Sequence, residues 1–547
     1  MMETNPEGLR KGVRWIDGDL WFTDLPALVV GPFTPAAGPG AGWFPFSIGL
    51  EHLSCTGLAT GAFSPAGELV LDLGLQGWYR LHIAQNPALR VWLDEEPGYW
   101  EMPGDERVVR DYPLPAADLT GRFLHVAPVR GAELSRELRL FYIRAEPCRG
   151  EEPSRRNLVA TNDGHGVFFR GLDSSRDLWR HVTPYRDSDF FRLVWGLYGG
   201  CLLTMRPDTR AGESPLRSDE GSFRAGDWVF NRSLRRLQAA GVDPLAVIRG
   251  ATREYGLELH LYLRMAAFYG PFPKMDWTTR FFREHPEWQG RDEEGRRINF
   301  LSYAWPGVRT RVLAFMEELL DYEPEGLCLA FNRGLPMIFF DEPVMERYQR
   351  QYGRIPRLPE ESETPELLGV RQAMLVEFVA EAARLCERRG RVLSCIVPRD
   401  FGRCRRLGLD PEDLVRRGLV ESVLVGAGHG DPPELAEDLG PLRLLKQRGV
   451  RVYAGGSAVR AHGAAWPSED LPTRIRRMQA IHEAGLDGAW FWDAETIIGC
   501  EWETHRRFGN RTLLEEMAAG RWPPPTVHET RSIHDLVIGR YNPWHAY

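Results

Sequence analysis

The sequence predicts a two-domain chain of α/β plus all-β class. An N-terminal antiparallel β-sandwich or jelly roll spans residues 1–150, a TIM-type (β/α)8 barrel spans 155–520, and 521–547 form a C-terminal extension. Three observations predict this. At 547 residues the chain exceeds one ordinary hydrophobic core. Up to about Cys148 it reads as strand-length apolar runs broken by Gly and Pro, with no helical period between them. After the polar, two-proline segment PCRGEEPSRRN, strand and helix signals alternate to the end of the chain, the pattern of a parallel sheet built from βαβ units.

In the first region the strand-length runs are ALVVGPF, ELVLDLGL, GWYRLHIA, RVWLD, RFLHVAP and ELRLFYIRA. In the second, NLVATNDGHGVFF, FRLVWGLYGG, LELHLYLRM, GLCLAFNRG, RVLSCIV, LVESVLVGAG, RVYAGGSA and GLDGAWFWDAE are eight strand candidates, the number that closes a barrel. Helices are expected at SSRDLWRHVTPYR, NRSLRRLQAAG, DPLAVIRGATREYG, GVRTRVLAFMEELLDY, PELLGVRQAMLVEFVAEAARLCERRG and RTLLEEMAAG. The stretches REYG, CERRG and HEAG end in the glycine that terminates a helix before the next strand. Insertions follow the third strand (through FFREHPEWQGRDEEGRRINFL) and the fourth (through PMIFFDEPVMERYQRQYG). A doubly wound open sheet usually needs fewer strands, and NDGHG does not match the G-x-G-x-x-G phosphate turn.

Composition removes several function classes. A formal net charge of -8 argues against a nucleic-acid partner, and no apolar stretch approaches membrane-spanning length. The N-terminal MMETNPEGLRKGVRWIDGDL lacks the apolar core of a secretory signal, and the eight cysteines are scattered with no CxxC pair, so a cytoplasmic protein with reduced thiols is expected. No HExxH, GxSxG or Walker A motif occurs, no HxH lies on the first strand and no strand ends in lysine. Neither a metal nor a cofactor is expected. Eighteen tryptophans and 11% aromatic residues fit carbohydrate binding, since an aromatic face stacks on the C–H face of a sugar ring.

A barrel carries its site at the C-terminal ends of its strands. Those ends supply Asp163 and His165, Tyr198, Arg264, Asn332 and Arg333, Arg399, His429, the pair Gly455-Gly456, then Trp492, Asp493 and Glu495. The insertions add Glu284, His285, Glu287, Asp341 and Glu342. Glycoside hydrolysis needs two carboxyl groups, about 5–5.5 Å apart for retention or about 6.5–9.5 Å for inversion. Asp493, Glu495, Glu342 and Asp341 are the catalytic candidates; Asp163, His165, Tyr198, Arg264, Asn332, Arg333, Arg399, His429 and Trp492 are the substrate-binding ones. Arginines after apolar strands suit a carboxylate or sulfate on the sugar, the lowering of a neighbouring carboxylate's pKa, or pairing with a structural Asp or Glu at the barrel rim.

The stretches FFREHPEW, FNRG, FDEPVMERYQRQYG and GAWFWDAE resemble segments of the glycoside-hydrolase-like barrels of bacterial "family 10-like" hydrolases. The resemblance covers roughly 155–520, leaves the β domain unexplained, and implies a bacterial hydrolase acting on a sugar bond; the β domain is expected to be an accessory and possible carbohydrate-binding module. The best-understood barrels of this kind carry Asn-Glu at the fourth strand and a second Glu at the seventh. Here the fourth ends Asn332-Arg333 and the seventh Gly455-Gly456, so either the acids have moved to the loops and the eighth strand or the barrel binds sugar without cleaving it. The functional expectation is hydrolysis of an oligosaccharide, one with anionic groups being favoured by the arginines. The alternatives are a non-catalytic carbohydrate-binding barrel and an isomerase or lyase of sugar acids.

Overall fold

The computed structural model describes residues 12–31, 42–50, 53–60, 67–86, 89–102, 108–129, 138–150, 155–170, 172, 174–197, 204–206, 208–214, 225–265, 278–332, 335–426, 438–455, 471–492, 502–521 and 527–529. Eight parallel strands close a barrel in chain order: Leu158–Asn162, Phe190–Gly196, Glu258–Arg264, Gly326–Ala330, Val392–Val397, Ser422–Val425, Arg451–Gly455 and Gly488–Phe491. Closure is made by the first and eighth strands, with Leu158 opposite Ala489 and Val159 opposite Trp490. Each strand corresponds to one apolar run of the sequence. The runs are nearly continuous because barrel strands are covered on both faces. Val159, Val194, Tyr262, Cys328, Ile396, Leu424 and Trp490 fill the interior, while Leu158, Leu193, Leu261, Leu327, Leu393, Val423 and Phe491 pack outward into the helical layer.

Glycines stop the helices where the sequence places them: Gly256, Gly390 and Gly485 have φ of 62°, 64° and 70°. A residue with a Cβ is disfavoured in that left-handed region, so these positions favour glycine. Among its described residues, the insertion after the third strand contains a helix, Arg280–Glu284, and a hairpin of Gln289–Arg291 with Arg297–Leu301. The insertion after the fourth contains the helix Glu342–Tyr352.

The floor of the barrel is polar. Arg192, 1% exposed, donates to Glu258 at 2.8 and 2.6 Å and to Ser422 at 2.8 Å. His260 lies beside it, its Nδ1 2.9 Å from the Ser394 hydroxyl. Burial, reinforced by the charges of Arg192 and Arg451, holds its imidazole well below the usual histidine range. His260 is therefore a neutral packing residue in this layer.

Ahead of the barrel lie two antiparallel sheets. The larger has nine strands and is ordered Val13–Ile16, Asp19–Phe22, Arg139–Pro147, Trp78–Asn86, Val108–Pro113 and Val527–Glu529, with Trp43–Leu50, Leu53–Thr60 and Ala117–Asp118 attached beside this path. The smaller pairs Leu69–Leu71, Leu124–Pro128, Leu89–Leu93 and Trp100–Met102. Leu81 and Ile83 of the large sheet share one buried cluster with Val91 and Val126 of the small one. The first hairpin turns on Asp17 and Gly18, with φ of 50° and 93°, the two positive φ values that a tight two-residue turn demands. The strand Val527–Glu529 comes from the C-terminal extension, so the chain returns to pair with its own N-terminal sheet.

Polar contacts join the β-rich region to the barrel. Ser174 and Asp177 form a capping box at the helix Ser175–Trp179, and Asp177 also accepts the Tyr99 hydroxyl at 3.0 Å. Arg180 donates to Glu101 at 2.8 Å and Arg186 to Glu96 at 2.9 Å. The Arg176 guanidinium lies 4.4 Å from the centre of the Trp92 ring.

Candidate functional site

The first strand ends in Asn162-Asp163-Gly164, and the Asn162 side chain accepts the Gly164 N–H at 2.8 Å. This Asx turn directs the chain out of the barrel. Gly164 has φ of 65°, and a Cβ there would collide with the Gly196 carbonyl oxygen. A Cβ on Gly196 would in turn press on the Asp163 backbone and the Tyr262 ring. Two bare glycines at the ends of the first two strands thus bring Asp163 against the third strand.

Tyr262 and Arg264, two residues apart on that strand, both project inward. The Tyr262 hydroxyl donates to one carboxylate oxygen of Asp163, and the Arg264 guanidinium donates to the other. Arg264 is 6% exposed, so the pair is shielded on the arginine side while Asp163 keeps partial access to solvent. With both oxygens engaged the carboxylate is an oriented anion, and a pair screened from water interacts more strongly than one at the surface. The Tyr262 ring lies 6.1 Å from that of Trp492, which lies 6.0 Å from that of Trp490. Trp490 is fixed by its indole N–H, which donates to the Val425 carbonyl at 3.0 Å. The Arg399 guanidinium, from the loop after the fifth strand, lies close to Gly426 and Gly455 at the ends of the sixth and seventh strands.

The structure therefore brings Asp163, Arg264 and Trp492 together, with Arg399 over the neighbouring strand ends. Of the strand-end arginines, Arg264 is paired with a neighbouring carboxylate, that of Asp163. Tyr262 and Trp490 are members of this cluster that the strand-end reading omitted. Inward alternation along LELHLYLR was the available signal, since it places Tyr262 on the same face as Arg264. His165 is buried and packs on Phe230, ring centres 4.4 Å apart; Asn332 is buried just past the fourth strand. Tyr198, Arg333, His429, Asp493 and Glu495 lie outside the described residues, as does Gly456.

Asp341 and Glu342 occupy the start of the helix Glu342–Tyr352. Glu342 is exposed at its first residue. Asp341 is 1% exposed and accepts the Arg291 backbone N–H at 2.9 Å and a bond from Ser302, which ties the hairpin to the helix. Burial outweighs these bonds and pushes its carboxyl up to about 6. Nearby Arg371, also buried, is pushed down to about 10 while donating to the Ile338 carbonyl at 3.0 and 2.8 Å. Glu284 is exposed, and His285 stacks on Trp288 with ring centres 3.8 Å apart, 3.0 Å from Glu287.

Two expected outcomes follow from this geometry. A carboxyl with a raised folded-state pKa binds its proton more tightly when folded. Its contribution to stability is present below the unfolded value of 3.8 and is lost as pH rises through about 6. Asp341→Asn should thus gain on the parent protein by about 2 kcal/mol between about pH 4 and pH 7.5. Denaturant unfolding at both pH values measures it, and an unchanged difference would refute the assignment. Gly164→Ala should cost about 1 kcal/mol in backbone conformation alone, with more from the Gly196 contact. It should also displace Asp163, so both the denaturation midpoint and any activity should fall together.

Among the described residues no group of three or more His, Cys, Asp or Glu side chains is placed to hold a metal ion, and no helix is long and apolar enough to cross a membrane. No family model matches the sequence, and no curated protein does. Solved structures similar to this chain are glycoside hydrolases. The glycoside hydrolase domain of PgaB (BpsB) from Bordetella bronchiseptica aligns with a TM-score of 0.43 at 14% identity, covering 65% of this chain and 98% of that one. An α-galactosidase from Thermus thermophilus in complex with stachyose aligns with a TM-score of 0.37 at 13% identity, covering 86% and 97%. For the glycoside hydrolase domain of PelA from Pseudomonas aeruginosa the values are 0.29, 16%, 46% and 83%.

Proposed function

We propose that this chain hydrolyses O-glycosidic bonds at the C-terminal mouth of its barrel, on an oligosaccharide that carries acidic groups. One observation carries the reading: Asp163 is held at the mouth by the Tyr262 hydroxyl and the Arg264 guanidinium, next to the Trp490–Trp492 pair. Hydrolysis of a sugar acetal builds positive charge at the anomeric carbon, and a fixed carboxylate stabilises that charge. Ion-paired to Arg264, Asp163 is suited to be the base or nucleophile and unsuited to donate the proton. The proton donor then comes from elsewhere. Asp493 and Glu495, which follow Trp492 directly in the sequence, are the residues we assign to it. Arg399 is assigned to the acidic group of the sugar.

In this reading the N-terminal antiparallel sheets act as an accessory sandwich that binds or presents the glycan, and the enzyme works in the cytoplasm on short oligosaccharides. A panel of chromogenic glycosides, including uronides, tests the activity, with Asp163→Asn and Asp493→Asn as paired variants. Turnover lost in both supports the assignment. Turnover by neither the parent protein nor any variant, with glycan binding intact, would instead make this a barrel that binds sugar without cleaving it.

A further inference from the structure

Among the described glycines of the barrel strands and their C-terminal ends, all but one answer a demand of the protein itself. A Cβ on Gly164, Gly196, Gly326 or Gly488 would press into backbone or ring atoms, and Gly426 has φ of 120°. Gly455 has neither reason. Its φ lies outside the left-handed region. A Cβ there would meet the Val425 carbonyl oxygen at 3.5 Å, the Trp490 indole nitrogen at 3.8 Å and the Arg399 guanidinium at 3.9 Å, all ordinary contacts. Tyr453, two residues earlier, is packed inside the barrel, so position 455 faces inward as well. Among the described residues, then, the seventh strand end keeps clear a place that a small side chain could fill. A glycine without a conformational or packing cause on a strand is a mark of close approach by a ligand. Gly455 lies opposite Trp490, and the Trp492 ring links Trp490 to Tyr262 at 6.0 and 6.1 Å, so this place opens on the same mouth as the Asp163 clamp.

We propose that Gly455 is a specificity-determining residue, and that the exocyclic C6 group of a six-carbon sugar takes the place of its side chain. That group is a hydroxymethyl in a neutral hexose and a carboxylate in a uronic acid. The proposal rests on the carbohydrate reading of the mouth and deepens it by naming the part of the sugar that meets the seventh strand. A ring hydroxyl is a single heavy atom, whereas the C6 group brings a carbon with its oxygens, the size of a small side chain. The walls suit both kinds of atom. Arg399 has a partner within the protein, yet a guanidinium carries five N–H donors, enough to serve a hydroxyl or a carboxylate as well. The Trp490 ring, held by its bond to the Val425 carbonyl, gives the carbon a fixed border. A five-carbon ring has only hydrogen at that position, so it leaves the place unfilled and forgoes those contacts.

Calorimetry and hydrolysis of p-nitrophenyl glycosides by the full chain test this. Matched rings differ only in the group on C5: the glucuronide carries a carboxylate, the glucoside a hydroxymethyl and the xyloside hydrogen. The galacturonide, galactoside and α-L-arabinopyranoside repeat the series. The parent protein should bind a six-carbon member about tenfold more tightly than its five-carbon match, and which six-carbon member it is identifies the C6 group. Gly455→Ala should weaken that member about tenfold and Gly455→Val about a hundredfold, while the five-carbon match stays within about twofold. Gly455→Ala should unfold no earlier than the parent protein on heating, because its Cβ has room. An equal loss for six- and five-carbon rings, an unchanged affinity in Gly455→Val, or a Gly455→Ala protein that unfolds well below the parent would each overturn the proposal. So would a parent protein that binds no six-carbon member. Selective loss of binding without turnover of any glycoside would remove the hydrolase reading and leave this one standing. Turnover with equal losses across the series would do the reverse.

Discussion

Asp163→Asn is expected to lower turnover of a responsive glycoside about a thousandfold while leaving the fold intact. Asparagine keeps the shape and one acceptor oxygen, so the Tyr262 hydroxyl retains a partner. What disappears is the negative charge that both faces the substrate and answers Arg264. Loss should therefore appear in kcat more than in KM, because an anion matters most when positive charge develops at the anomeric carbon. Tyr262→Phe removes one of the two bonds that orient the carboxylate and should cost less, about tenfold. Thermal unfolding within a few degrees of the parent protein would separate a chemical defect from a folding defect. An Asp163→Asn protein that keeps a tenth or more of its activity would place the reacting carboxylates elsewhere, with Asp493 and Glu495 the next pair to examine.

Arg180→Met is expected to be the costliest substitution for stability, at about 4 kcal/mol. Arg180 is buried where the β-rich region meets the barrel, and it donates to Glu101 across that boundary. Its removal takes from the partly buried Glu101 the guanidinium that donates to it, and the poorer satisfaction of that carboxylate, more than the lost attraction itself, is the penalty. Glu101→Leu in the same chain should recover part of the loss, which a double-mutant cycle in denaturant would measure. Because Arg180 bridges the β-rich region and the barrel, unfolding of Arg180→Met should also become broader or split into two steps. A single unshifted transition would mean that the Arg186–Glu96 and Tyr99–Asp177 contacts hold the boundary without it.

Much of this architecture is readable from local chemistry. Barrel strands are covered on both sides, so LVATN, FRLVWG and SVLV stand out as apolar runs whatever packs around them. Helix ends at Gly256, Gly390 and Gly485 are legible because a positive φ disfavours any residue with a Cβ. Asp17-Gly18 carried an equally local hairpin signal, hidden in a Gly- and Pro-rich stretch that reads as irregular. The return of Val527–Glu529 to the N-terminal sheet had no such signal. Pairing between segments about four hundred residues apart in sequence is set by which edge is left open, and no window of sequence contains that edge.

For the site, the sequence determined which residues reach the strand ends, Asp163, Arg264 and Trp492 among them, because strand periodicity fixes the direction of every second side chain. Only the tertiary structure decided that Asp163 and Arg264 are partners, with Tyr262 completing the clamp. It also decided that Asp341, one of the candidate acids, is buried beneath the hairpin while neighbouring Glu342 faces solvent. The physical reason is distance in the chain. About a hundred residues separate Asp163 from Arg264, and barrel closure with its stagger, a property of all eight strands at once, sets which strand ends meet.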